Sequence, residues 1–285
     1  MVIDSHVHIE RKSEGCFYSA QEIVNEMDTA GIDVSIIYGN DQASAGTCPS
    51  WAQDEIVTAT DFSDEDVAEF CSHNPDRFIG IGSVHPDRYR PERKAHNAVE
   101  NLGLRGVKLY PHSGFYSNDV KLYPMYAYCQ EKGVPVIIHT GIKAVRWQHM
   151  KYNNPLYIDD VATDFPGLNI IMCHGGYPWT EEFFAVIGTN KNVCVDITFL
   201  DYIEKRFSIK NHVKNTMGRL FSVIGSKRLI WGTEGPVMNF PIYGTHNREY
   251  YKRSQEYLVQ RFEFFSEEDR QNILGENARR LFLIK

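Results

Sequence analysis

Eight short apolar runs rich in β-branched residues recur along the chain, and the stretches between them carry helical spacing and helical punctuation. The runs are Val2–Ile9, Val34–Tyr38, Phe78–Val84, Gly106–Tyr110, Pro135–His139, Asn169–Cys173, Val193–Ile197 and Leu229–Gly232. Helices are expected over Ala20–Ala30, Asp64–His73, Glu92–Leu102, Pro124–Lys132, Pro155–Asp164 and Thr180–Ile187. Gly31 and Gly133 stand where left-handed C-caps belong, and Asn154-Pro155 reads as an N-cap followed by the first helical residue. Strands that alternate with helices pair in parallel, because each helix carries the chain back to the start of the next strand. Eight such units without a composition break predict an α/β fold, a single (β/α)8 TIM barrel spanning residues 1–285 as one domain, close to the roughly 250 residues such a barrel needs. A doubly wound sheet would use the same alternation, but no glycine-rich phosphate loop follows the first strand.

The connections after strands are long, at Asn40–Phe62, His112–Val120, Gly141–Asn154, Phe199–His212 and Pro236–Asn247. Those before strands are clipped, as at Gly31–Asp33 and Lys132–Val134. Long loops at the carboxyl ends of the strands place the functional face there. Thirty Lys+Arg against 37 Asp+Glu give a net charge of −7, which argues against nucleic acid or an anionic membrane surface as partner. The opening Met1-Val2-Ile3-Asp4-Ser5-His6 is polar and already patterned, unlike a signal peptide, so a cytoplasmic protein is expected. The six cysteines form no Cys-x-x-Cys pair, and Cys129, Cys173 and Cys194 read as small core residues.

His6 and His8 lie two apart on the first strand, so a period of two puts both imidazoles on one face, roughly 6.6 Å apart along the strand. Asp4 shares that face, and three polar residues facing a barrel interior would be costly without a partner or an ion. His139 closes the fifth strand, His174 the sixth, and Glu234 follows the eighth. Singly, each reads as a hydrogen-bonded core or rim side chain. Jointly, the ends of strands 1, 5, 6 and 8 converge on one rim if the barrel forms. Imidazoles with a carboxylate suit one divalent metal ion, zinc first with manganese or iron as alternatives, rather than calcium or magnesium.

The motifs Asp4-Ser5-His6-Val7-His8, Gly106-Val107-Lys108-Leu109-Tyr110-Pro111, Val136-Ile137-Ile138-His139-Thr140-Gly141, Cys173-His174-Gly175-Gly176 and Asn272-Ile273-Leu274-Gly275-Glu276-Asn277-Ala278 together resemble the amidohydrolase superfamily. The resemblance is to its amidohydrolase-related branch, which includes aminocarboxymuconate-semialdehyde decarboxylase. It implies metal ligation by His6, His8 and His139, and a ligand or orienting role for His174. It also implies an aspartate, both ligand and proton shuttle, after the eighth strand. This chain carries Glu234 there, one methylene longer. Glu234 then serves as ligand and base in a shifted site, or as an outer base alone, or marks altered chemistry. Lys108 falls where some relatives in the wider superfamily bridge two metals through a carboxylated lysine, with an ion pair as the plainer role. A homodimer is implied by the resemblance alone.

The loop from Gly141 to Ile158 holds Lys143, Arg146 and Lys151 and no acid. Trp147 lies in the same loop, and Tyr110, His112 and Trp179 lie near other strand ends. Cations and aromatic walls suit a small anionic, aromatic or unsaturated substrate, with Arg146 and Trp147 foremost among the binding residues. The plainer reading is that most of these rings pack the loops or a subunit interface. The leading expectation is a metal-dependent hydrolase of an ester, lactone or amide, using metal-activated water and Glu234 as proton carrier. Non-oxidative decarboxylation of an aromatic or unsaturated acid is the alternative, and a metal-free binding protein the third.

Overall fold

The computed structural model describes residues 1–9, 18–39, 62–88, 90–143, 146–235 and 254–284. Eight strands form one parallel sheet in sequence order: β1 (Ile3–His8), β2 (Val34–Tyr38), β3 (Phe78–Ser83), β4 (Val107–Leu109), β5 (Val136–Ile138), β6 (Ile170–Cys173), β7 (Val193–Asp196) and β8 (Leu229–Ile230). The eighth run is shorter as a strand than the sequence suggests, yet its continuation brings the sheet round. The Ser5 backbone N–H and hydroxyl both donate to the Trp231 carbonyl, at 3.1 and 2.7 Å. The result is the expected (β/α)8 barrel, all but closed between β8 and β1.

Local chemistry explains the intervening helices. Helix α1 (Ala20–Ala30) begins at a capping box in which Ser19 and Glu22 satisfy each other's backbone donors, and it ends at Gly31, whose φ of +70° suits glycine. Helix α2 (Asp64–Ser72) begins with the same device in Ser63 and Asp66. The continuous helix expected over Glu92–Leu102 instead passes from α3 (Pro91–His96) into a π turn at Asn97–Asn101. That widened turn seats Ala98 so near β3 that a Cβ at Gly82 would meet Ala98 Cβ at 2.9 Å. Helices α4 (Tyr123–Lys132), α5 (Leu156–Asp164) and α6 (Thr180–Thr189) follow. The segment Phe199–His212, expected to be an open connection, holds α7 (Leu200–Arg206), and α8 (His212–Ile224) comes next. Both open from left-handed residues, Phe199 and Asn211, without a side-chain cap, so the usual start signals are missing. Residues 40–61 and 236–253, where two long connections are expected, lie outside the described residues, as do Cys16, Cys48 and Trp51.

Two apolar layers alternate along the strands. Val107, Leu109, Val136, Ile138, Ile170, Met172, Val193 and Val195 face outward to the helices. Ile36, Ile79, Ile81, Ile137, Ile171 and Ile230 face the barrel axis, packed with Ala278, Leu281 and Phe282 of the carboxyl-terminal segment. That segment closes the amino-terminal mouth. Asn277 fixes it by donating to the carbonyls of Ser226 and Leu229, 2.7 Å each, just before and at the start of β8. Each fully buried isoleucine is worth about 1.5–3 kcal/mol, so the lower layers offset the cost of the polar layer above them.

One glycine lets β8 approach β1. A Cβ on Gly232 would meet His6 Cβ, His6 N and Thr198 Oγ1 at 2.8 Å each. Gly232→Ala is therefore expected to cost about 1–3 kcal/mol, because β1 and β8 must separate. A denaturant midpoint identical to that of the parent would contradict this packing.

Candidate active site

Barrel geometry gathers the strand ends, and the side chains found there are those the sequence marks together with several it does not. His6 and His8 end β1, and their Nε2 atoms lie 3.2 Å apart. Glu234 sits four residues beyond β8, with a carboxylate oxygen 3.5 Å from His6 Nε2 and the other 3.7 Å from His8 Nε2. All three are buried. A tetrahedral ion with bonds of about 2.0–2.1 Å holds its ligand atoms about 3.3 Å from one another, so this spacing and this donor set fit a zinc-like or manganese-like ion.

Backbone geometry puts Glu234 there. Its φ is +70°, a region that asparagine and aspartate enter more readily than glutamate, and Gly235 follows at +97°. Asp4 holds this turn from β1: its carboxylate accepts the Thr233 N–H at 2.9 Å and the Thr233 hydroxyl at 2.6 Å. Burial pushes the Asp4 carboxyl up to about 7 despite those bonds. The alternation Asp4, His6, His8 thus divides its labour, with Asp4 fixing the eighth-strand turn and the histidines facing Glu234.

Hydrogen bonds settle the imidazole tautomers. His6 Nδ1 is 2.5 Å from Asp196 Oδ2 at the end of β7, and a carboxylate only accepts. The proton is on Nδ1, and Nε2 keeps its lone pair for an ion, an outer carboxylate orienting a ligand histidine. The other Asp196 oxygen accepts from the Thr198 N–H at 2.8 Å and from the Thr198 hydroxyl. His174, held at φ +65°, points Nδ1 at the Thr198 carbonyl, 3.3 Å away, so its lone pair is on Nε2. Its Nδ1 is 3.8 Å from Glu234. His139 donates from Nε2 to the Ile142 carbonyl at 2.8 Å, which leaves Nδ1 as its lone-pair nitrogen. Its ring packs edge-on against that of His174 at 4.7 Å, but it falls outside the groups whose ligand atoms all approach within 4.8 Å.

Burial, then the nearby Lys108 ammonium, holds His8 and His139 down at about 3, and burial pushes His6 and His174 well below the ordinary value. Neutral imidazoles are what a metal requires. Lys108 is fully buried on β4, its Nζ 3.5 Å from His6 Nε2, 3.1 Å from Cys173 Sγ, and 5.1 and 5.4 Å from the Tyr38 and Tyr110 ring centres.

The residues marked for substrate lie around this core in different states. Tyr110 is buried and donates to the Gly39 carbonyl at 2.8 Å, its ring 6.4 Å from that of His8. His112 is buried against His139, ring centres 4.3 Å apart, and takes a 3.3 Å hydrogen bond from Asn153. Trp147 is buried, Arg146 is exposed, and Trp179 is half-buried just before α6. Lys143, part of the expected cationic patch, donates to the carbonyls of Arg146 and Gln148 and so holds the loop. Two contributors escape sequence reasoning. Asp196 has a signal in hindsight, an acid closing the otherwise apolar Val193-Cys194-Val195. Cys173 is buried as expected, but it faces Lys108 rather than filling space alone.

The family model "Amidohydrolase" matches residues 3–284, and the chain belongs to that family, whose members are metal-dependent hydrolases, hydratases and decarboxylases. It is 24% identical over 254 residues to 2-amino-3-carboxymuconate-6-semialdehyde decarboxylase of Dictyostelium discoideum, covering 80% of this chain and 67% of that protein. The fold matches a probable 2-pyrone-4,6-dicarboxylic acid hydrolase of Acinetobacter baumannii solved with citric acid, TM-score 0.67 at 14% identity over 99% and 98% of the two chains. It also matches a dihydroxybenzoic acid decarboxylase of Polaromonas solved with manganese and 2-nitroresorcinol, TM-score 0.64 at 16% identity over 99% and 97%. No described helix is long and apolar enough to cross a membrane.

Proposed function

We propose that the chain, acting as one catalytic domain, hydrolyses an ester, lactone or amide of a small anionic substrate at a single divalent-ion site held by His6, His8 and Glu234, with His139 contributing to the ion or to its surroundings. The observation that carries the reading is the carboxylate of Glu234 set 3.5–3.8 Å from the ring nitrogens of His6, His8 and His174. A zinc or manganese ion held by these residues would supply Lewis acidity toward a carbonyl and toward a water. Asp196 keeps His6 in the tautomer that can serve such an ion. Glu234 takes the proton of the attacking water and returns it to the leaving group. His174 orients the reacting oxygen, while Tyr110, His112, Arg146, Trp147 and Trp179 bind the substrate.

The decarboxylase among the curated relatives favours a second reading, in which the same centre holds a carboxylate and an acid protonates carbon. Assaying metal-loaded and chelator-treated protein on aryl esters, lactones and anilides, beside carbon dioxide release from hydroxybenzoic and unsaturated acids, separates the two. Metal-dependent ester or lactone cleavage is expected; carbon dioxide release without any hydrolysis would replace the first reading with the second. A cytoplasmic homodimer completes the proposal. It rests on family resemblance, and a sedimentation mass of one chain would overturn it.

A further inference from the structure

The carboxyl end of β7 carries a ring that no sequence motif announces. Phe199 has a φ of +73°, a region that a bulky side chain enters seldom and at a cost. Such a conformation lasts only where its surroundings fix it, and here they do. The preceding Thr198 donates its N–H and hydroxyl to Asp196 and accepts from His174 Nδ1 at 3.3 Å. Leu200, next along, is buried so close to the turn after β6 that a Cβ on Gly175 would meet its Cδ2 at 2.6 Å. The left-handed turn thereby brings two consecutive residues onto one imidazole. The Thr198 carbonyl holds His174 through Nδ1, and the Phe199 ring lies 5.1 Å from the His174 ring, inclined at 57°. Tyr202, in the first turn of α7, backs the Phe199 ring at 4.7 Å. Glycine or asparagine would make the same turn at lower cost, so what the position retains is the ring. Phe199 is only half-buried, at the mouth where β7 ends.

We propose that Phe199 is a specificity-determining residue, the wall against which the substrate lays a flat ring, so that the site prefers an acid or acyl group attached to an aromatic or unsaturated ring over a saturated one of equal charge and similar size. His174 stands 3.8 Å from Glu234, and a molecule reacting there has its adjoining group within reach of Phe199. Beyond His174 the wall continues in the rings of His139 and His112, centres 4.7 and then 4.3 Å apart. Two rings in offset or tilted contact gain an electrostatic attraction beyond the area they bury, worth roughly three- to tenfold in affinity, and a saturated ring has no π face to supply it. The inference deepens the functional reading and rests on it only for placing the reacting group at His174.

The test compares the binding of benzoate and cyclohexanecarboxylate to the full-length protein by ligand-observed NMR titration, a readout that needs no turnover. The parent is expected to hold benzoate roughly three- to tenfold tighter. That ratio should fall below about twofold in Phe199→Leu and in Phe199→Gly, and persist in Phe199→Tyr. A residue that only shaped the loop would weaken both probes alike and leave the ratio unchanged, so the ratio separates contact from support. Phe199→Gly guards against a variant that fails to fold, because glycine suits the left-handed turn; its denaturant midpoint should lie above that of Phe199→Ala. No preference in the parent, including no binding of benzoate, or a ratio unchanged in Phe199→Leu and Phe199→Gly, overturns the inference. A preference that depends on Phe199 in a protein that hydrolyses no ester, lactone or amide overturns the functional reading and leaves this one standing. Hydrolysis with a ratio indifferent to Phe199 does the reverse.

Discussion

Glu234→Gln is expected to lower turnover by about two to four orders of magnitude, the usual worth of a positioned proton carrier, while the protein still binds close to one ion. The amide keeps the length of the side chain and one oxygen toward His6 and His8 but has no basic lone pair to take a proton. Glu234→Asp gives a second, opposite-signed reading. Aspartate occupies a φ of +70° more easily than glutamate, so stability should rise by a few tenths to about 1 kcal/mol. The carboxylate would retreat by a methylene from nitrogens already 3.5–3.8 Å away, and activity should fall. Turnover unchanged in Glu234→Gln would remove Glu234 from the chemistry, and a more active Glu234→Asp would show that the longer side chain is not matched to this site.

Asp196→Asn is expected to weaken metal binding by about 10- to 100-fold, although Asp196 touches no ion. The carboxylate accepts on both sides, from His6 Nδ1 at 2.5 Å and from Thr198 at 2.8 Å. An amide accepts on one side only. It must either place its NH2 against the Thr198 donors or turn it toward His6, forcing the imidazole proton onto Nε2 and removing the lone pair. Competition with a chromophoric chelator measures the effect; parent-like affinity would show that the tautomer of His6 is not set by Asp196.

The barrel was legible because its signal is periodic and local: each strand is a short β-branched run, and caps such as Gly31 and Gly133 announce themselves. The elements that escaped lack such signals. Helices α7 and α8 start from left-handed residues without capping side chains, and the helix after β3 widens into a π turn to fit Ala98 against Gly82, a tertiary matter. The same division runs through the site. His6, His8, His174 and Glu234 were legible because they punctuate strand ends, and the structure draws them together. What pairs with what was not legible. That Asp196 orients His6, that Asp4 pins Thr233 and that Lys108 reaches Cys173 depend on which strands are neighbours across the barrel and on how far each side chain reaches. His139 shows the limit from the other side: its strand-end position is as expected, but its Nε2 proton is engaged by Ile142, which only a folded loop supplies.

The central claim is that His6 and His8 hold an ion. Elemental analysis of protein purified without added metal or chelator, beside the His6→Ala, His8→Ala double variant, tests it directly, with circular dichroism confirming that both are folded. About one equivalent of zinc, manganese or iron in the parent and none in the double variant is the expected result. Equal metal content in the two, or none in the parent even after reconstitution, would contradict it.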